Sequence, residues 1–300
     1  MNINDREEIR KLIKGRVLFN VPMKRFTSMK VGGPVDVLLF PRDVDELQKL
    51  ACYARKKSIP VMILGKGTNM IVRDKGIRGW MITLTQGLTK IRAEGEIVEA
   101  EAGASLQRLV QFCVQKGLAG FEPFYGIPGT VGGGLAMNAG AWGSELKDML
   151  LSMTLMKENG DLVERPRSRL RFSYRGLVLP STWIILKGRF QLKKGKKGEI
   201  VERIKSYSER RRKKQPLDYP SAGSIFKNPA QGRAGRWIEE AGLKGYRIGQ
   251  AMVSERHANF IINLGNATSK DVIHLMEWVE KKVFEERGVS LEREVKVVGE

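Results

Sequence analysis

The first 85 residues carry hydrophobic patterns that alternate between helix and strand. Helical spacing of apolar positions predicts helices over residues 5–14 and 41–50, and short apolar runs predict strands over residues 35–40 and 60–64. A loop with two glycines, residues 65–69, follows the second strand directly. This order of elements predicts a small α/β unit at the amino-terminal end.

The middle of the chain combines further elements with a long glycine-rich segment, residues 121–140. A helix is predicted over residues 104–116, and strands over residues 96–101, 152–157 and 182–192. Each glycine costs about 1 kcal/mol inside a helix or strand, so the segment is predicted to be neither. Its interleaved aromatic and aliphatic residues argue against a flexible linker. A binding surface lined by backbone is therefore the preferred interpretation.

The composition changes near Lys193, where a third unit is predicted to begin. A strongly basic helix is predicted over residues 198–214, and Pro216 and Pro220 mark a linker after it. Beyond the linker the pattern predicts helices over residues 233–242 and 269–288, and strands over residues 258–264 and 291–298.

The composition narrows the class of protein. Hydrophobic residues make up 42% and charged residues 29%, an ordinary globular mixture. Cys52, Cys113, His257 and His274 are too few for a disulfide scaffold or a convincing zinc site. No apolar run approaches the length of a membrane span, and the polar amino-terminal segment does not have the pattern of a signal peptide. We expect an intracellular protein without a bound metal.

The net charge of +20 favours anionic partners. Residues 210–214 are five consecutive cations, which could bind nucleic acid electrostatically. No aromatic stacking pattern or helix-turn-helix accompanies them, so a solvated helix face that attracts small anions is the preferred interpretation.

Four other motifs are ambiguous when each is taken alone. The loop at residues 65–69 fits a phosphate cradle and a tight turn about equally well. Tyr174 and Arg175 fit a turn, and residues 219–229 fit a turn that precedes a strand. Glu292 and Glu294 would share one face of the last strand with Lys296, as on a charged surface strand. A hydrolase triad of Ser224 and His257 is rejected, because no serine has the glycine pattern of a nucleophile elbow.

In their order along the chain, these motifs together resemble one family, the UDP-N-acetylenolpyruvoylglucosamine reductases, also called UDP-N-acetylmuramate dehydrogenases. The resemblance covers about residues 25–300. The motifs that carry it are residues 65–69, 126–133, 138–140, 174–175, 222–229 and 294–299.

The resemblance implies an α+β fold. The implied FAD-binding domain is of the vanillyl-alcohol-oxidase type and consists of two α/β subdomains, residues 1–85 and 86–205. Residues 206–300 would form an α+β substrate domain, whose last strand, about residues 291–300, returns toward the flavin site.

The resemblance also implies the reaction. NADPH would reduce FAD, and the enolpyruvyl group of a UDP-sugar would be reduced to give UDP-N-acetylmuramate, a peptidoglycan precursor. The expected partners are therefore the UDP-sugar and NADPH, with no nucleic acid and no membrane. A monomer in the bacterial cytoplasm is expected.

Individual roles are carried over by matching motifs. Arg175 would stabilise the developing enolate, Glu294 would polarise or neutralise that intermediate, and Ser224 would donate the proton. Lys214 and Asn228 would contact the substrate. The residues expected to bind FAD are Gly65, Lys66, Gly67, Thr68, Asn69, Gly126, Pro128, Gly129, Thr130, Gly132, Gly133, Asn138 and Gly140.

Two departures from the family pattern shape these expectations. The chain resembles the shorter class, which lacks an insertion that carries a diphosphate-covering tyrosine, and Tyr207 is the only tyrosine between Arg175 and Lys214. No histidine precedes His257, so the flavin is expected to be non-covalently bound. Two alternatives remain open: a flavin oxidase of the same fold, which would react with oxygen without NADPH, and a colourless nucleic-acid-binding protein.

Overall fold

The computed structural model describes the backbone of residues 3–300 and the side chains from residue 6 onward. The helices are α1 (Ile3–Leu12), α2 (Val44–Lys56), α3 (Leu106–Gln115), α4 (Val131–Ala136), α5 (Lys197–Lys214), α6 (Ala234–Glu240) and α7 (Ser269–Arg287).

The strands are short and numerous. They are β1 (Arg16–Pro22), β2 (Pro34–Phe40), β3 (Val61–Leu64), β4 (Met70–Val72), β5 (Ile77–Thr83), β6 (Ile91–Glu94), β7 (Ile97–Glu101), β8 (Leu118–Ala119), β9 (Gly140–Ala141), β10 (Ser144–Glu145), β11 (Leu150–Met156), β12 (Leu162–Pro166), β13 (Arg171–Ser173), β14 (Gly176–Val178), β15 (Ile184–Gln191), β16 (Lys193–Lys194), β17 (Ser221–Ser224), β18 (Arg247–Ile248), β19 (Ala251–Val253), β20 (Phe260–Asn263) and β21 (Lys296–Val298).

The described chain divides into two compact units, each assembled from three segments. The first unit contains the described residues up to Phe19, with Asp36–Lys66 and Gly79–Glu209. The second unit contains Asn20–Val35, Gly67–Arg78 and Arg210–Glu300. From the sequence we expect two FAD-binding subdomains, residues 1–85 and 86–205, and a substrate domain, residues 206–300. These domains are defined by the ligands they would bind, so their boundaries stay a prediction.

The first unit is built around a five-stranded antiparallel sheet in the order β12-β11-β15-β7-β6. A four-stranded sheet in the order β1-β2-β5-β3 adds a second layer of strands, and β3 runs parallel to β5. The apolar core of this unit includes Leu47, Trp80, Val98, Leu109 and Phe190, all nearly or fully inaccessible to solvent.

The second unit has its own core around an antiparallel sheet in the order β17-β20-β19-β18. Helices α6 and α7 contribute Ile238, Val272 and Met276 to this core, and the sheet contributes Ile261. A separate parallel pair joins β21 to β4, so the end of the chain lies beside the strand that follows the first glycine loop.

Most strongly patterned elements form where the sequence predicts them. Helix α7 begins at Ser269 because Thr268 and Asp271 form a reciprocal capping box, and it ends where Gly288 adopts a left-handed conformation. The helix predicted over residues 41–50 instead spans Val44–Lys56. It begins later because the side chain of Asp43 accepts the backbone N–H of Glu46 at 2.9 Å.

The prediction that the glycine-rich segment contains no helix was wrong. Residues Val131–Ala136 form helix α4, capped by Thr130, whose Oγ1 accepts the N–H of Gly133 at 3.1 Å. The glycines serve packing within this helix. A Cβ built at Gly132 would lie 2.8 Å from the Cβ of Ala102, and one at Gly134 would lie 2.7 Å from a methyl of Leu146. Close approach to neighbouring elements therefore offsets the poor helix propensity of glycine.

The strand predicted over residues 291–298 is shorter than expected. Only Lys296–Val298 pairs as a strand, whereas Arg293 makes an isolated bridge to Phe226. The pattern also missed β5, because Gly79 interrupts its run of apolar residues. A Cβ there would lie 2.5 Å from the carbonyl oxygen of Pro60, which accepts the N–H of Trp80.

Among residues 3–300, no helix combines the length and the apolar character needed to cross a lipid bilayer.

Candidate active site

The first glycine loop connects β3 to β4 and presents consecutive backbone donors. The N–H groups of Gly65, Lys66, Gly67 and Thr68 donate to no other group in the described part of the chain. Gly67 has φ = +61°, and a Cβ there would lie 2.2 Å from the carbonyl oxygen of Phe26. Because consecutive unpaired N–H groups form a concave anion site, this loop can cradle a phosphate.

Gly65, which begins the first glycine loop, lies against the second glycine loop within the first unit. A Cβ built at Gly65 would lie 2.9 Å from Oγ1 of Thr130, the residue that caps α4. Two sequence-predicted sites that are far apart in the chain are thus in direct contact.

The second loop offers fewer donors than its glycine content suggests. The N–H groups of Val131 and Gly132 bond to the carbonyl oxygens of Ala104 and Ala102, at 2.8 and 2.9 Å. The N–H groups of Gly129 and Thr130 donate to no other described residue. Gly132 therefore holds α4 to the sheet, and the free donors lie just before the helix begins.

Arg175 lies at the tip of the hairpin formed by β13 and β14. Its φ of +58° is uncommon for a residue other than glycine. Its Nη2 donates to the carbonyl oxygen of Gly140 at 3.1 Å, and its Nη1 lies 3.8 Å from Oε1 of Glu145. The unaided reading of Tyr174 and Arg175 as a turn is confirmed, and the turn directs the guanidinium toward the Gly140 segment.

Asn138 ties these segments together from a fully buried position. Its Nδ2 donates to Glu145 at 2.9 Å and to the carbonyl oxygen of Ser173 at 3.2 Å, and its Oδ1 accepts the N–H of Lys147. The amide is fully occupied by these protein contacts. Its direct role within this unit is to hold the hairpin that carries Arg175.

Glu145 provides the negative charge beside Arg175. Partial burial on its own would raise the pKa of this carboxyl. Hydrogen bonds from Lys147 and Asn138, with the charges of Lys147 and Arg175, lower the pKa below its ordinary value. Glu145 is therefore ionised at neutral pH. Neither Glu145 nor Lys147 stood out in the sequence, because they belong to no recognisable motif.

In the second unit, the backbone next to Ser224 is bonded to the backbone of Glu294. Ser224 ends β17, and the next residue, Ile225, accepts the backbone N–H of Glu294 through its carbonyl oxygen at 2.8 Å. The Ser224 hydroxyl is half-buried and makes no hydrogen bond to any other residue within 3–300. A hydroxyl with this freedom can donate to a ligand.

The backbone around Glu294 is fixed from two sides. Nδ2 of Asn69 donates to the carbonyl oxygen of Glu294 at 3.1 Å, and the carbonyl oxygen of Asn69 accepts the N–H of Lys296 at 3.1 Å. Arg293 forms two bonds with Glu280 on α7, at 2.5 and 2.7 Å. Asn69 thus connects the first glycine loop with the segment that carries Glu294.

Glu292 differs clearly from Glu294 although only one residue separates them. Its side chain is 73% exposed and pairs with Lys227 at 2.5 Å. Glu294 is half-buried. The predicted common face of Glu292 and Glu294 is not formed as a strand, because strand pairing begins only at Lys296.

The two predicted substrate residues, Lys214 and Asn228, both belong to the second unit. Lys214 is the exposed last residue of α5. Asn228 is exposed, and its Oδ1 accepts the N–H of Ala234 at the start of α6, at 3.1 Å. Lys66 is exposed in the first glycine loop.

Two family profiles match the chain. The profile described as FAD binding domain matches residues 35–165, and the C-terminal domain of UDP-N-acetylenolpyruvoylglucosamine reductase matches residues 215–298. The α+β fold, the free N–H donors of the glycine loops and these matches define the chain as an FAD-binding protein.

Full-length relatives define the family. UDP-N-acetylenolpyruvoylglucosamine reductase from Caldanaerobacter subterraneus subsp. tengcongensis is 47% identical, with 98% of each chain covered. The enzyme of that name from Syntrophus aciditrophicus is 45% identical, with 98% of this chain and 96% of the relative covered. The crystal structure of the Thermus caldophilus enzyme covers 95% of this chain and 100% of its own, with a TM-score of 0.83 and 36% identity.

The chain belongs to the UDP-N-acetylenolpyruvoylglucosamine reductase family. It is an FAD-dependent oxidoreductase, as the resemblance predicted. The α+β fold with an FAD-binding domain is likewise confirmed.

Proposed function

We propose that this enzyme uses NADPH to reduce UDP-N-acetylglucosamine-enolpyruvate to UDP-N-acetylmuramate, in the synthesis of peptidoglycan precursors. The observation that carries this proposal is the junction of Ser224 and Glu294, made by the backbone bond from Glu294 to Ile225. At this junction a hydroxyl that has no partner among the described residues lies next to a segment that bears a half-buried carboxylate. The names of the relatives support the substrate and the reaction.

The residues of the two glycine loops fit FAD. The free N–H groups of Gly65, Lys66, Gly129 and Thr130, all within the first unit, would hold its diphosphate. The other residues that the resemblance implies for FAD binding would complete the site: Gly67, Thr68, Asn69, Gly126, Pro128, Gly132, Gly133, Asn138 and Gly140. Bound FAD supplies the hydride chemistry that amino-acid side chains lack. Non-covalent binding is proposed because no histidine precedes His257 in the sequence, so none is adjacent in sequence to either loop.

Arg175 would stabilise the negative charge that develops on the substrate carboxylate as the double bond is reduced. The guanidinium is held in place by the carbonyl oxygen of Gly140 and by Glu145. It would therefore need little rearrangement when the substrate binds. Its neighbour Glu145 keeps it paired in the resting enzyme, and a substrate carboxylate would compete with that pairing.

Ser224 would donate the proton that completes the reduction. A serine hydroxyl is a weak acid, so this role requires a strongly basic acceptor, such as the enolate of the substrate. Glu294 would polarise or neutralise the same intermediate from its fixed backbone position. The proton therefore moves only after the substrate has accepted the hydride.

The second unit would carry most of the sugar-nucleotide contacts. The match of residues 215–298 to the reductase C-terminal domain supports residues 206–300 as the substrate domain. The return of its last strand toward the flavin is implied by the family resemblance. Lys214 and Asn228 would contact the substrate. A monomer in the bacterial cytoplasm, without nucleic-acid or membrane partners, completes the proposal.

Anaerobic turnover tests the proposed function. Purified holoenzyme should oxidise more than one NADPH per bound flavin only when the enolpyruvyl UDP-sugar is present, and each further NADPH consumed should yield one UDP-N-acetylmuramate. UDP-N-acetylglucosamine, which lacks the enolpyruvyl group, is the matched control and should give no turnover. Rapid oxygen consumption with an alcohol and without NADPH would instead favour the same-fold oxidase.

A further inference from the structure

The strand that carries Ser224 pairs irregularly with its neighbour in the sheet. Ser221 pairs with Ile262 of β20, and Ser224 pairs with Phe260, so three residue steps along β17 face two steps along β20. Gly223, inside this irregularity, has φ = +76°. Because such a bulge disrupts the ladder of backbone bonds, regular strand pairing alone does not fix the position of Ser224.

Asn259, the residue before β20, bonds the two residues that follow Ser224. Its exposed fraction is 4%. Its backbone carbonyl oxygen accepts the N–H of Ile225 at 2.9 Å. Its side-chain Oδ1 accepts the N–H of Phe226 at 2.9 Å, and its Nδ2 donates to the carbonyl oxygen of Phe226 at 2.8 Å. One amide thus satisfies both backbone groups of a buried residue, as a paired strand residue would.

The other side of the same segment holds the backbone of Glu294. The carbonyl oxygen of Ile225 accepts the N–H of Glu294 at 2.8 Å, and the N–H of Lys227 donates to the carbonyl oxygen of Glu292 at 2.8 Å. Phe226, which lies between these two bonds, directs its own backbone groups to Asn259. A displacement of Phe226 would therefore move Ser224 and Glu294 together.

Asn259 is itself held at a fixed backbone position. Its N–H donates to Nδ1 of His257 at 3.2 Å. Burial lowers the pKa of His257 below its ordinary value, so the imidazole is neutral and Nδ1 can accept this bond. The His257 ring packs edge-on against Phe260, with 4.9 Å between the ring centroids. The amide of Asn259 therefore acts from a supported turn.

We propose that Asn259 is a positioning residue for the product-forming half of the reaction. Its amide sets where the Ser224 hydroxyl and the Glu294 carboxylate lie, through the backbone of Ile225 and Phe226. This role in the reaction rests on the proposed function. Misplacement of a reacting group by about 1 Å can slow a reaction about 10²-fold, so loss of this support should be visible in the kinetics.

Asn259→Leu tests the proposal, because leucine keeps the branched shape of asparagine but makes no hydrogen bond. Asn263→Leu is the matched control: Asn263 is likewise buried in β20, and its amide bonds to Met29, Gly265 and Ala267 instead. NADPH should reduce the flavin at the wild-type rate in both variants.

Reoxidation of the reduced flavin by the enolpyruvyl UDP-sugar should differ between the two variants. It should slow about 10- to 100-fold in Asn259→Leu and stay within about 3-fold of wild type in Asn263→Leu. Stopped-flow absorbance measures this stage separately from flavin reduction. Wild-type reoxidation in Asn259→Leu, or equal slowing in the two variants, would overturn the proposal.

A double variant separates positioning from a general loss of stability. If Asn259 acts through Ser224, its replacement should matter less once the Ser224 hydroxyl is absent. The slowing caused by Asn259→Leu should therefore be smaller in the Ser224→Ala background than in the wild-type background. Equal slowing in the two backgrounds would show that Asn259 acts independently of Ser224, and the proposal would be wrong.

Hydrogen exchange of the holoenzyme, followed by NMR, tests the same contact without turnover. The N–H of Phe226 should exchange slowly in the wild-type protein and at least about 10-fold faster in Asn259→Leu, with no such change in Asn263→Leu. If Asn259→Leu does not fold, Asn259→Ala takes its place. Rapid exchange at Phe226 in the wild-type protein would overturn the proposal whether or not a variant folds.

The two measurements distinguish this proposal from the proposed function. Should the wild-type holoenzyme fail to reduce the enolpyruvyl UDP-sugar, the proposed function is contradicted. Exchange at Phe226 would then still decide whether Asn259 holds the segment next to Ser224. Normal turnover in the wild-type protein, with unchanged reoxidation in Asn259→Leu, would instead contradict only the role of Asn259.

Discussion

At the residue scale, the proposed chemistry depends on small differences between neighbouring side chains. Glu292 is occupied by Lys227 at the surface, whereas Glu294 is half-buried and its backbone is bonded to Ile225 and Asn69. The Ser224 hydroxyl makes no hydrogen bond to any other residue within 3–300, so it remains able to donate to a ligand. These differences allow each proposed role to be tested against a neighbour of the same type.

Ser224→Ala should separate the two half-reactions. NADPH should still bleach the flavin absorbance at the wild-type rate, because no proton from Ser224 is needed at that stage. Product formation should fall by about 10²–10⁴-fold, since the enolate lacks its proton donor. Stopped-flow absorbance measures the two stages separately. Slow bleaching by NADPH with normal reoxidation by the substrate would exclude Ser224 as the proton donor.

Ser224→Cys gives a graded companion to that test. A thiol is more acidic than a hydroxyl and can still donate a proton. The cysteine variant should therefore form product faster than the alanine variant. Equal rates for the two variants would indicate that Ser224 positions the substrate and does not transfer a proton.

Glu294→Gln should lower turnover by about 10²–10⁴-fold, because a positioned carboxylate that acts on the intermediate is lost. Glu292→Gln removes the same charge two positions earlier and should stay within about 3-fold of wild type, as expected for an exposed ion pair. Steady-state kinetics of both variants decide the role. Similar activities in the two variants would show that Glu294 is a surface carboxylate.

At the element scale, α4 shows why glycines recur in a segment that forms a helix. Gly132 and Gly134 lie where neighbouring elements approach too closely for a side chain, whereas Gly133 is exposed. The Thr130 cap fixes the start of this helix, and the same threonine lies against Gly65 of the first loop. The packing of a short helix thereby sets the spacing of two binding loops.

Gly132→Ala should destabilise the protein by about 1–3 kcal/mol, because the added methyl overlaps Ala102. Gly133→Ala is the matched control. Its methyl would meet only Oγ1 of Thr130, at 3.2 Å, and alanine is the better helix former. Chemical denaturation of the two variants measures the free energy of unfolding. Equal stabilities would show that α4 does not pack against Ala102 as described.

At the scale of the whole molecule, the charge of +20 creates a positive field that attracts anionic ligands. The proposed substrate and NADPH are both anions. We therefore expect kcat/KM to fall as sodium chloride is raised from about 0.02 to 0.5 M, with a smaller change in kcat, since salt screens long-range steering. Steady-state kinetics at several salt concentrations measure the effect. A salt-independent kcat/KM would show that the net charge does not guide substrate binding.

The cofactor gives a second prediction for the whole molecule. Because no histidine precedes His257 in the sequence, none is adjacent in sequence to either glycine loop, and we expect intact FAD to be released when the holoenzyme is denatured. Ultrafiltration after denaturation, followed by chromatography of the filtrate, checks this release. Flavin that remains with the unfolded chain would demonstrate a covalent bond.

Sequence patterns determined the elements whose signals are local. The capping residues around α7 and the apolar periodicity of α3 act within one or two helical turns, so their positions follow from the sequence directly. The glycine loops and the family were also readable, because each motif is a short continuous stretch and their order along the chain is distinctive.

Only the tertiary structure decided how distant segments combine. Asn69 bonds to the backbone of Glu294, and Thr130 lies against Gly65, through contacts that no local pattern encodes. Glycine frequency alone could not distinguish a helix packed too closely for side chains from a loop that binds a ligand. Arg211 is buried, whereas the next three cations of the same helix are exposed. The sequence could not show this difference, because burial depends on which helix face the rest of the protein covers. Local propensities act over a few residues, whereas burial and pairing depend on the packing of the whole chain.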